Sequence, residues 1–110
     1  MAKDDYLKIV YVVLKELYEC KKANEKINLS AIAPRRFEAE PGYMLEIFEE
    51  LIEAGYIKGV IIENTKTGRH ITSPEDMTIT MKGIEYLQEN SKMKKVCEAL
   101  KTIKDIAPGL

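Results

Sequence analysis

A chain of 110 residues with 45% hydrophobic and 32% charged residues falls in the range of one globular domain and outside that of disordered chains. Lys and Arg total 17 against 18 Asp and Glu, so the net charge is -1 and the strongly basic footprint of a general nucleic-acid binder is absent; a local basic patch is still compatible with it. No apolar run approaches the about 18 residues a membrane span needs, and the first residues lead into an amphipathic segment rather than a signal peptide, which predicts a soluble, cytoplasmic protein with no membrane partner.

The first element is a helix over residues 4–22. Tyr6, Leu7, Val10, Val13, Leu14 and Leu17 recur at helical spacing, with Ile9 and Cys20 widening the apolar face. Asp4 and Asp5 at its start and Lys21 and Lys22 at its end suit the helix dipole. So wide an arc predicts a central helix with neighbours on several sides. Cys20 and Cys97, the only cysteines, each lie in an apolar-periodic run and read as buried, reduced thiols.

Asn24 ends the pattern, and Lys26-Ile27-Asn28 has room for a scrap of strand. Asn28 or Ser30 can cap a short helix over 29–33, stopped near Pro34. "PRRFEAE" then reads as a connection with room for an extra helical turn. Pro41 opens a second strong helix. Met44, Leu45, Ile47, Phe48, Leu51 and Ile52 share one face of it, and Glu46, Glu49, Glu50 and Glu53 the other. Gly55 is the expected left-handed cap, and "YIKGVIIE" follows as one strand with Gly59 at a bulge.

Residues 64–76, "NTKTGRHITSPED", read as a long polar loop, and Met77 and Ile79 alternate with Thr78 and Thr80 in a return strand. Thr80 can cap a helix over 81–90. Ser91 can cap a last one, where Met93, Val96, Leu100, Ile103 and Ala107 recur at steps of three and four.

A helix followed at once by a hairpin with a projecting loop is the pattern of a winged helix-turn-helix. The expected fold is α+β, mostly α: a single winged-helix domain over 1–110, with a core at about 4–90 and an added C-terminal helix at about 91–107. "KELYE", "LIEAGYIKGV" and "TITMKGIEYLQEN" resemble the YjcQ-type family, small winged-helix proteins of Gram-positive bacteria and their phages. The resemblance implies the fold and a phage or prophage setting; it implies no biochemical activity.

Catalysis is not expected. His70 is the one histidine, no carboxylate pair is spaced for acid–base or metal chemistry, and no glycine-rich phosphate motif or cofactor signature is present. The fold invites double-stranded DNA as partner, with the second helix of the motif in the major groove. That helix carries four glutamates and neither Lys nor Arg, and each close Glu–phosphate approach costs on the order of 1 kcal/mol even in high dielectric. DNA would therefore be held through Arg35, Arg36 and the wing residues Lys66, Arg69 and His70, weakly and with strong salt dependence.

The alternative is a protein-interaction or dimerisation module that does not bind DNA, with Tyr11, Tyr18 and Tyr43 as candidate contacts. A homodimer seam is expected at Met93, Val96, Leu100 and Ile103.

Overall fold

A computed structural model describes residues 3–90, with side chains from Tyr6 onward. The expected last helix lies outside the described residues, and with it Ser91, Cys97 and the Met93, Val96, Leu100 and Ile103 seam. Helix α1 spans Lys3–Ala23, α2 Pro34–Phe37, α3 Pro41–Glu53 and α4 Met81–Glu89; strands are β1 Ile57–Lys58, β2 Ile61–Thr65, β3 Gly68–Thr72 and β4 Thr78–Ile79. This is an α+β, mostly helical fold of winged-helix type. Among the described residues no helix is long and apolar enough to cross a membrane.

α1 is the central helix. Ile9, Val10, Tyr11, Val12, Val13 and Leu14 are all buried, and six consecutive buried positions cover every side of a helix. The expected face was too narrow: it omitted Tyr11, which lies in the core and offers no contact surface, while Leu7, assigned to the core, is 52% exposed. Cys20 is half-buried rather than buried. α1 meets β4, α4 and α3, and the Lys21 ammonium donates to the Ile79 carbonyl at 3.1 Å.

α1 ends with Asn24 in the left-handed region, at φ +56. The Glu25 N–H then reaches back to the Cys20 carbonyl at 2.9 Å. Residues 26–28 form no strand; Ile27 is held by burial in the core. Asn28 caps a short 3₁₀ turn over Leu29–Ile32, its side chain accepting from the Ser30 N–H at 3.0 Å. "PRRF" is a helical turn, α2, opened by Pro34. Arg36 fixes that turn to α1: its guanidinium donates to the Ala31 carbonyl at 2.6 Å and lies 3.6 Å from the Glu16 carboxylate.

The end of α3 sets the rest of the fold. The Gly55 N–H donates to Ile52 O at 3.0 Å and the Tyr56 N–H to Leu51 O at 2.9 Å, a Schellman closure with Gly55 at φ +80. Thr80 then joins the same corner to the next helix. Its hydroxyl accepts from the Gly83 N–H at 3.1 Å, capping α4, and donates to the Gly55 carbonyl at 2.5 Å. Its own N–H donates to the Tyr56 carbonyl at 3.0 Å. Thr80→Ala removes the cap and leaves the half-buried Gly55 carbonyl without that donor. A loss of about 1–2 kcal/mol is expected in urea unfolding, and Thr80→Ser should recover most of it because only the hydroxyl is needed.

Two of the strand expectations are corrected. "YIKGVIIE" is two strands, because Gly59 takes φ +90 and breaks the run between β1 and β2. The polar stretch 64–76 is no long loop: β2 runs on to Thr65, turns through Lys66-Thr67 and returns as β3. Ile62 pairs with Ile71, Glu63 with His70, Asn64 with Arg69 and Thr65 with Gly68, all antiparallel. A 3₁₀ turn at Pro74–Asp76 leads into β4, where Ile57 pairs with Ile79. The wing is thus one hairpin in two ladders, the inner one buried against the helices and the outer one projecting.

Candidate functional site

The outer ladder leans on α3. Ile62 and Ile71, cross-strand partners, are half-buried against the core, while most of their neighbours on β2 and β3 are exposed. Two residues from Ile71 along β3, on the same face of the strand, Arg69 pairs with the Glu49 carboxylate of α3. The pair is partly exposed, so it orients the wing more than it stabilises the protein.

Between wing and α3 lies a groove of about 850 Å³. Its apolar lining comes from Tyr43, Met44 and Phe48 of α3, from Ile71 of β3, and from Pro34 and Pro41. Glu46, Arg69 and His70 supply its polar lining. Tyr43 is half-buried and meets the ring of Tyr6 edge-on, with centroids 5.7 Å apart. Burial pushes the Tyr6 phenol above its ordinary value, and Glu50, Tyr43 and Glu46 push it further, so the carboxylates of α3 are felt at the Tyr6 hydroxyl. Glu46, Glu50 and Glu53 are exposed.

The structure distributes the five expected DNA contacts unevenly. Arg35 is exposed on α2, whereas Arg36 turns inward to Ala31, Glu16 and the Phe37 ring, 5.6 Å from its centroid. Lys66 is exposed in the turn of the wing. Arg69 is neutralised by Glu49, and His70 Nε2 lies 2.9 Å from the Thr67 hydroxyl. Arg69 and His70 do line the same groove as Pro34, the residue before Arg35, but two of the four arginine and lysine charges are met by carboxylates within the protein.

Sequence reasoning placed Met44 and Phe48 in the core and Tyr43 among the contacts, but Ile71 fell within the expected loop. Its one signal in the sequence is a lone β-branched apolar residue in a polar stretch, and its value appears only once the hairpin register opposes it to Ile62. Of the other candidate contacts, Tyr18 is half-buried beneath the Lys22 ammonium, 4.7 Å from its ring centroid.

The family model described as YjcQ protein matches residues 11–106, a span that takes in every residue of the groove. No curated protein and no solved structure matches the chain.

Proposed function

The chain belongs to the YjcQ family, and on that premise we propose that it is a non-catalytic winged-helix binding protein that recognises a protein segment through the groove between α3 and the wing. One observation carries the choice of ligand. α3 bears Glu46, Glu49, Glu50 and Glu53 with no Lys or Arg, and the wing arginine nearest to it is spent on Glu49. Duplex DNA draws its affinity from cations that displace counterions, and α3 offers the opposite charge. An open groove with an aromatic floor and a charged rim is instead a surface suited to an amphipathic helix.

The exposed Lys66 at the tip of a projecting hairpin, with Arg35 exposed on α2, supports a second reading, a DNA-binding transcriptional regulator that engages the duplex backbone by its wing. A gel-shift titration separates the two. The first reading expects no retention of duplex DNA even at low salt. Retention that falls steeply with salt, and that is lost on Lys66→Glu with Arg35→Glu, would establish the second and defeat the first. A phage or prophage setting belongs to the same proposal, and the genes flanking the coding sequence test it.

A further inference from the structure

We infer that the α3–wing groove is the seat for residues 92–104 of a second copy of this chain. The inference rests on the protein-binding reading above and names its partner. Charge complementarity carries it. On the groove side, exposed Glu46 stands beside Tyr43, Met44, Phe48 and Ile71; Arg69 and His70 share the lining, but the Arg69 charge is met by Glu49, and exposed Glu50 and Glu53 continue the acidic face along α3. The segment 92–104 has the inverse pattern. It holds Lys92, Lys94, Lys95, Lys101 and Lys104 against the single acid Glu98, and its Met93, Val96, Leu100 and Ile103 recur at steps of three and four.

At that spacing a helix carries one apolar stripe flanked by ammonium groups. Laid along the groove, it would cover the apolar lining with its own stripe and bring lysines to carboxylates that α3 leaves exposed. Exchange between two copies makes two identical contacts related by a two-fold axis, the arrangement that closes a dimer. It differs from a seam in which the last helix pairs with itself, because here each stripe is completed by α3 and β3 of the other copy.

The test is a charge exchange in the full-length chain, read by sedimentation equilibrium, with circular dichroism confirming that each variant is folded. The wild type should sediment as a concentration-dependent dimer. Glu46→Lys with Glu50→Lys, and separately Lys94→Glu with Lys101→Glu, should each weaken association about 10-fold or more. An equimolar mixture of the two variants should regain the dimer, because each mutated groove then meets a mutated segment and each native groove a native one.

A monomeric wild type overturns the inference, as does a dimer indifferent to the groove reversals or a mixture that stays monomeric. A monomeric wild type that also fails to retain duplex DNA leaves the protein-binding reading standing with another partner; retention of duplex DNA by the wild type defeats that reading itself.

Discussion

Replacing Gly59 with alanine is expected to cost about 3 kcal/mol or more in chemical unfolding, a large part of the roughly 5–15 kcal/mol by which a domain of this kind is stable. Two causes act together. Gly59 sits at φ +90, a region that side chains enter only at a cost of about 1–3 kcal/mol. A β-carbon there would also overlap the Asp76 carbonyl oxygen and lie 3.1 Å from its carbon. That carbonyl belongs to the 3₁₀ turn between β3 and β4, so backbone meets backbone and no side-chain rotation relieves the overlap. Gly59→Asn separates the causes. Asparagine tolerates positive φ but keeps the β-carbon. If strain dominates, it should recover much of the loss; if overlap dominates, it should match alanine. A Gly59→Ala protein within about 0.5 kcal/mol of wild type would mean that the two limbs of the hairpin do not approach at this point.

The same residue shows how far the sequence could be read. A glycine within a β-branched run signals a bulge or a close backbone approach, and the sequence alone does not say which. The answer lies 17 residues on, at Asp76, in a stretch whose polar composition reads as loop. β2 is read only as far as Glu63, as part of one longer strand, and β3 is not read at all, for a related reason. Each has one half-buried residue, Ile62 and Ile71, among exposed Thr, Asn, Arg and His, so there is no alternation to find. What orders them is pairing with each other, a property of the register rather than of either segment.

α1 and α3 were legible because apolar residues recur at helical spacing over several turns, and the end of α3 and the start of α4 because Gly55 and Thr80 are end signals with a local mechanism. The candidate site was half legible. The acidic face of α3 follows from helical period alone. The fate of the basic residues does not: Arg36 and Arg69 look like their free neighbours Arg35 and Lys66 until the fold brings Glu16 beside one and Glu49 beside the other, each 20 residues away in sequence.

Gly83→Ala gives the second large effect, and its sign opposes helix propensity. Alanine inside a helix is normally favoured over glycine by about 0.8–1.0 kcal/mol. Gly83 lies in the first turn of α4, where Thr80 binds its N–H, and it is buried. A β-carbon added there would stand 2.5 Å from the Tyr56 carbonyl oxygen and 2.6 Å from Cγ1 of Ile79. Neither neighbour can give way: the Tyr56 carbonyl accepts the Thr80 N–H, and Ile79 is fully buried in the core. α4 would have to lift from the corner that joins α3 to the hairpin, so a net loss of about 2–3 kcal/mol is expected in urea or thermal unfolding. Gly42 provides the control. It lies in the first turn of α3, exposed, with nothing within 4 Å of an added β-carbon, and there alanine should be neutral or stabilising by up to about 1 kcal/mol. If both substitutions move stability in the same direction, the close seat of α4 on Tyr56 and Ile79 is not the reason position 83 is a glycine.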